Sequence, residues 1–328
     1  MADARNDTAI TRINFGPNCP SQSHKFDPSM IITPKLVQNL VEEQFPQWAD
    51  LLVTEVIPNG WDNRTFRLGD EMSVRLPSAE RYVHQVQIEH TWLPKLAPLL
   101  QLPIPTPIAI GEPGYSYPWQ WSVNGWIEGE TAAAGRITDL PKFAQSLANF
   151  LISLQKIDPT DAPVPGLGKR GGDLAFYNDE SLQAIEILEH GELGGDLDVK
   201  MIKDVWDAAL YSKWTNPPIW IHGDISLGNV LVENGELSAV IDFGGICIGD
   251  PACDLAIAWT TFKGASREAF RRTLNLDDAT WSRARGWTLW KSLITYTGIS
   301  ETNTVEARTS RRTITRILSD HSHILPRR

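Results

Sequence analysis

Apolar residues first recur at helical spacing after Pro34, where Leu36, Leu40, Val41 and Phe45 share one face of a predicted helix. The pattern then turns strand-like. Leu52 to Ile57 is rich in β-branched residues and runs into the turn Pro58-Asn59-Gly60. Thr65 to Leu68 alternates polar and apolar, and Gly69-Asp70 turns the chain again before Met72 to Leu76. Three consecutive antiparallel strands are expected. Residues 80–97 return to helical spacing through Val83, Val86, Ile88, Trp92 and Leu93, and Pro103, Pro105 and Pro107 force an extended connector behind them. Tyr115 to Ile127 is aromatic-rich and strand-like. Beyond it Leu140, Phe143, Leu147, Phe150, Leu151 and Leu154 mark a helix, and helix dominates the rest. Strands first and helices after is the α+β pattern of two segregated lobes. The seam falls at 124–130, giving lobes 1–126 and 127–328, with 1–30 a loose extension.

Composition removes several alternatives. A chain of 328 residues that is 42% hydrophobic and 21% charged is neither disordered nor fibrous. Its net charge of −10 argues against a general nucleic-acid binder, which carries a basic stripe. The longest uncharged stretch, Leu96 to Gly111, holds four prolines and cannot cross a membrane as a helix. No secretory leader is visible in the first thirty residues. Cys19, Cys247 and Cys253 form no C-x-x-C and leave an odd count, as expected of reduced thiols in a cytoplasmic protein.

Candidate chemistry concentrates between Trp220 and Gly244. Apolar Ile219 and Ile221 lead into His222-Gly223-Asp224, a polar loop that can present a carboxylate. Asn229 stands five residues later, just before a short strand at Val230 to Val232. Asn234-Gly235 is a strong two-residue hairpin turn, and the returning strand delivers Asp242 at its end. The hairpin thus brings Asn229 and Asp242 together beside Asp224. Phosphoryl transfer from a nucleotide uses such a set: one carboxylate orients or deprotonates the attacking hydroxyl, while an amide oxygen and a second carboxylate hold magnesium.

H-G-D-x-x-x-x-N followed by I-D-F-G-x-x-x-x-x-D-P-x-x-D-L-A resembles the aminoglycoside phosphotransferase family, over roughly residues 50 to 260. The resemblance implies a two-lobed protein-kinase-like fold, with a small antiparallel-sheet N-terminal lobe and a larger, mostly helical C-terminal lobe. It implies Asp224 as catalytic carboxylate and Asn229 with Asp242 as magnesium ligands. Asp254 is expected to be a buried support of the catalytic loop. Asp250, ahead of Pro251, is expected to cap a helix, and His222 to pack and position the loop.

On the nucleotide side, Gly60 lies in the first strand turn, where kinases place a glycine-rich cover, although no G-x-G-x-x-G is present. Arg75 stands in the third strand where the kinase fold usually carries lysine; it keeps the charge and adds a bidentate fork for phosphate. Glu89, inward with Val86 and Leu93, is its expected ion-pair partner, with Glu80 the competitor. The stretch Trp121 to Gly129 resembles the interlobe hinge, which would set backbone groups of Asn124 and Trp126 against the adenine edge. Trp119 and Trp121 are expected to pack the lobe.

The implied activity is transfer of the γ-phosphoryl group of ATP, or of GTP in its place, to a hydroxyl of a small molecule, foremost an aminoglycoside-like antibiotic. Ten acidic residues against two lysines between Asp173 and Asp207, a local charge of −8, would suit such a cationic acceptor; a solvated helix face is the plainer reading of that run. The rivals are a metabolic kinase acting on choline, homoserine or a sugar, and a nucleotide-binding pseudokinase. A protein kinase is disfavoured because no Ala-Pro-Glu segment follows Asp242. Neither nucleic acid nor membrane is expected as a partner, and the motifs leave oligomeric state open.

Overall fold

The computed structural model describes residues 31–324 apart from 58, 61, 134 and 167. Thr33 accepts the Leu36 N–H through its hydroxyl and caps α1 (Pro34–Gln44), which buries Val37, Leu40 and Val41. The expected meander follows as β1 (Val53–Glu55), β2 (Asn63–Leu68) and β3 (Met72–Pro77), β1 being shorter than its β-branched run. After a 3₁₀ turn at Glu80–Tyr82 comes α2 (Val83–Leu96). The proline-rich connector departs from expectation by ending in a strand, β4 (Pro107–Gly111), which pairs with β5 (Trp121–Gly125). With sheet order β1-β2-β3-β5-β4, β4 is an edge strand, where a missing proline N–H is tolerated. The long strand-like run from Tyr115 contracts to β5.

The two faces of this sheet differ in chemistry. Phe66, Leu68, Val74, Leu76, Trp121 and Val123 form one core with the buried face of α1, so Trp121 does pack the lobe. Alternation sends Thr65, Arg67, Ser73, Arg75, Ser122 and Asn124 to the opposite face, where Arg75 meets Glu89 of α2.

Beyond β5 the chain runs through β6 (Glu130–Thr131), α3 (Leu140–Gln155), α4 (Asn178–His190) and α5 (Val199–Tyr211). Next come β7 (Ile219–Ile221), β8 (Val230–Glu233), β9 (Glu236–Val240) and β10 (Cys247–Gly249). It closes with α6 (Ile257–Thr260), α7 (Ala265–Leu274), α8 (Asp278–Tyr296) and α9 (Thr304–Ile324). The small strands form two antiparallel sets, β10-β7 and β6-β8-β9.

A second, larger core holds the predicted α3 stripe together with Trp206, Trp220, Trp259, Trp281 and Trp287. Leu93 and Leu96, at the end of α2, belong to this second core, so α2 joins the sheet to the helical region. Cys247 and Cys253 are free and buried; Cys19 and the expected extension 1–30 lie outside the described residues. No described helix is long and apolar enough to cross a membrane.

Candidate active site

The loop after β7 is held from beneath. Asp254, fully buried, accepts the N–H of His222 at 2.8 Å and of Gly223 at 2.7 Å. Burial pushes its carboxyl up, while the neighbouring His222 and these two N–H groups pull the other way. The His222 ring packs on Phe243, with centroids 4.6 Å apart. Its Nδ1 accepts the Asp224 N–H at 3.2 Å, so the proton belongs on Nε2, which donates to Ile241 O at 3.0 Å. His222 thus ties the loop to the strand end that carries Asp242. Gly223 has φ +89°, and a Cβ there would stand 2.9 Å from Gly245 O, which explains glycine where protein kinases usually place arginine.

Asp224 is exposed at the top of this loop, and Asn229 reaches back to it, Nδ2 donating 2.8 Å to Asp224 O and 2.8 Å to Asp224 Oδ2. The hairpin sets the other half of the site. Asn234 and Gly235 both have positive φ, +51° and +82°, as a tight two-residue turn requires. Its register pairs Val230 with Val240, and the Ile241 N–H donates to Asn229 O at 2.9 Å. Asn229 and Asp242 therefore emerge side by side. Asp242 sits in the left-handed region at φ +67°, strain of about 1 kcal/mol or more that persists where surrounding contacts over-determine it.

Across the cleft, Arg75 Nη1 donates to both oxygens of Glu89 at 2.9 Å, and Nη2 to Asp242 Oδ1 at 2.8 Å. The expected Arg75–Glu89 pair forms, and Glu80 instead stands in the 3₁₀ turn. Burial weighs against the Arg75 charge, but Glu89 and Asp242 together outweigh it and raise its pKa. Glu89 is only 3% exposed, and burial pushes its carboxyl up despite Arg75.

Residues that motif reading passed over complete the site. Asp62 accepts from Gln85 Nε2 at 3.0 Å, and Gln85 Oε1 accepts from Asn63 at 3.2 Å. Burial raises the Asp62 pKa, and the Asp242 and Asp224 charges add to the rise. The charges of Asp242 and Asp224 thus act on Asp62. No spacing rule marks Gln85; the only signal was a polar residue on the inward face of α2.

Gly60 lies in the exposed turn between β1 and β2, where its carbonyl accepts from Arg64 and its N–H donates to Asn59 Oδ1 at 3.0 Å. The neighbouring turn residues Pro58 and Trp61 lie outside the described residues. The structure places the two residues expected at the adenine edge at the end of β5. Asn124 is inside the sheet, paired with Ser73 and Pro107, and the Trp126 N–H is already donated to Glu71 O at 2.8 Å. The Trp126 carbonyl has no backbone partner among the described residues. The Trp126 indole instead lies under the Arg67 guanidinium, 4.4 Å from the ring centroid. Asp250 caps the Pro251–Ala256 turn as expected, and also forms a buried ion pair with Arg283 at 2.6 Å that the sequence did not announce.

This architecture has known counterparts. Residues 53–287 match the family model APH, a phosphotransferase enzyme family. No curated protein sequence matches the chain. Among solved structures, the GDP complex of wild-type aminoglycoside 2'-phosphotransferase-IIIa matches with TM-score 0.66 at 18% identity, covering 88% of this chain and 100% of that one. The streptomycin–ATP ternary complex of APH(2")-IIa matches with TM-score 0.54 at 17% identity, covering 88% and 97%. The macrolide 2'-phosphotransferase MphH of Brachybacterium faecium gives 0.56 at 18% identity, covering 87% and 97%. At these identities the likeness shows the fold, the α+β architecture expected from strands followed by helices.

Proposed function

The chain belongs to APH, the phosphotransferase enzyme family, and from that premise we propose that it moves the γ-phosphoryl group of ATP to a hydroxyl of a small molecule. One observation carries the reading: Asp224 is bonded to Asn229, and Asp242, which the hairpin sets beside Asn229, is bonded to an Arg75 held in turn by Glu89. The acceptor oxygen forms the new bond to the γ-phosphorus as the bond to the β–γ bridging oxygen breaks, and that electron pair leaves on ADP. The hydroxyl proton passes to the Asp224 carboxylate and from there to water. Asp224 is exposed and oriented through Asn229, as a group that must meet an incoming hydroxyl should be. Arg75 stays anchored on Glu89 through Nη1, while the Nη2 that now holds Asp242 is the edge that phosphate oxygens would take.

The donor set fits magnesium. Asn229 commits its Nδ2 to Asp224, which leaves Oδ1 without a partner among the described residues, and Asp242 has one oxygen outside the Arg75 contact. Both are hard oxygen donors, and the repulsion that Asp242 and Asp224 exert on Asp62 is what a divalent cation relieves. When bound there, magnesium neutralises the phosphate charge. For the base, we assign the main chain at residues 126–128, past the Trp126 N–H and outside any strand, in place of Asn124.

A cationic, aminoglycoside-like acceptor is the reading that the acidity of residues 173–207 supports. Several of those carboxylates are engaged elsewhere: Glu189 with Lys203, Asp173 with Lys213, Asp196 with Arg311 and Glu180 with the Trp290 indole. Glu186 is exposed on the outer side of α4. The test is ATP-dependent phosphorylation across aminoglycosides, macrolides and metabolic alcohols, with transfer to at least one hydroxyl expected. A protein that binds no magnesium nucleotide would overturn the proposal.

A further inference from the structure

Two buried polar positions of α2 stand one turn apart. Glu89 holds Arg75, while Gln85, four residues earlier, faces a different set of partners. Its Nε2 donates to Asp62 Oδ2 at 3.0 Å, and its Oε1 accepts from Asn63 Nδ2 at 3.2 Å. Asp62 and Asn63 stand where the turn that holds Gly60 enters β2. The Asp62 carbonyl accepts the Ser78 N–H at 2.8 Å, which ties the same point to the end of β3.

The carboxamide of Gln85 has a third neighbour, Gly244 of the I-D-F-G string. A Cβ on Gly244 would stand 2.5 Å from Gln85 Cδ, 2.7 Å from Oε1 and 2.8 Å from Nε2. Gly244 does not lie in the left-handed region, so its backbone does not call for glycine. Room for the carboxamide does. A methyl there would push the Gln85 amide away, and with it the hydrogen bonds to Asp62 and Asn63. Gln85 thus touches the turn expected over the nucleotide and the segment that carries Asp242, two residues before Gly244. A carboxamide suits this place because it donates to a carboxylate on one side and accepts from an amide on the other.

We infer that Gln85 is a positioning residue for phosphotransfer, joining the β1–β2 turn to the Asp242 segment so that the nucleotide cover and the magnesium ligand are set together. The inference rests on the phosphotransfer reading and goes beyond the Arg75–Glu89 pair, since it concerns where Asp242 is held. Gln85 touches no reacting group. Its effect belongs to the part of nucleotide affinity that magnesium supplies.

Calorimetry of ATP binding, with magnesium and with EDTA in its place, gives that part as the ratio of the two affinities. Gln85→Met keeps the length and the neutral charge but removes both hydrogen bonds, and should cut the ratio at least about tenfold. Gly244→Ala displaces the carboxamide without changing its chemistry and should cut it likewise. The double variant Asp62→Asn with Gln85→Glu exchanges donor and acceptor across the same contact at unchanged net charge. It should recover most of what Gln85→Met loses, which a loss of bulk packing would not do. A ratio kept in either Gln85→Met or Gly244→Ala, or lost in the exchange variant as fully as in Gln85→Met, overturns the inference. The parent reading fails separately, in the unsubstituted protein, if that protein binds no magnesium-ATP.

Discussion

Asp224 is fixed at three points, by Asn229 on its side chain, by Asn229 on its carbonyl and by His222 on its N–H. Asp224→Asn should therefore keep the loop in place while removing the proton acceptor. We expect kcat to fall by about 10²–10⁴ with magnesium-ATP affinity retained, checked by single-turnover phosphate transfer and calorimetry; near-normal turnover would count against Asp224. Asp62 makes a prediction of opposite sign. Burial raises its folded pKa above the usual carboxylate range. Its contribution to stability is therefore complete at low pH and is lost as pH rises through that raised value. Asp62→Asn keeps an oxygen for Gln85 and removes the cost of ionisation. Its Tm should exceed that of the parent at pH 7, and the gain should vanish as pH falls below the ordinary carboxylate range. A gain that persists undiminished in acid would assign the effect to something other than the charge.

At the scale of elements, the hairpin of β8 and β9 aligns the metal-binding pair. Its turn admits little change, because Gly235 has φ +82° and a Cβ there would stand 2.3 Å from Thr138 Cγ2. Gly235→Ala should cost about 1–3 kcal/mol in denaturant unfolding. Because Asn229 and Asp242 stand at the open end of the same ladder, magnesium-ATP should also bind more weakly. Unchanged affinity in a destabilised variant would show that the His222–Ile241 contact alone holds the register. The loop after β7 depends in the same way on the turn that begins at Pro251, since Asp254 accepts two of its N–H groups.

Across the whole molecule, two cores meet through α2, whose middle holds Arg75 and whose end lies in the helical core. Motion between the cores therefore bears on the Arg75–Asp242 contact, an ion pair that joins the sheet to the β8–β9 hairpin. Farther from the cleft, Arg283 pairs with Asp250 where both are almost fully buried. Arg283→Met should leave Asp250 with an uncompensated buried charge and cost about 3–5 kcal/mol. The loss would be read as a lower denaturant midpoint, with magnesium-ATP affinity of the folded protein unchanged. A loss below about 1 kcal/mol, the range of exposed pairs, would show that water reaches Asp250.

Local spacing was enough for the features that depend on neighbours in sequence. The 3.6-residue stripes of α1 and α3, the strand-turn-strand run to β3, the Asn234-Gly235 hairpin and the Asp250-Pro251 cap all follow from side-chain period and turn chemistry within a few residues. The H-G-D and I-D-F-G strings marked Asp224, Asn229 and Asp242 for the same reason: one hairpin carries the last two, and its register is a local property. Tertiary structure decided whatever depends on residues far apart in the chain. The closing of Arg75 on Asp242 and the burial of Arg283 against Asp250 each join segments that no periodicity relates. Sheet pairing turned a proline connector into β4 and set Asn124 between Ser73 and Pro107. The acidity of residues 173–207 was plain in the composition. Folding alone decided that several of those carboxylates are spent on Lys203, Lys213, Arg311 and the Trp290 indole, because a charge finds its partner through distance in space and not through order along the chain.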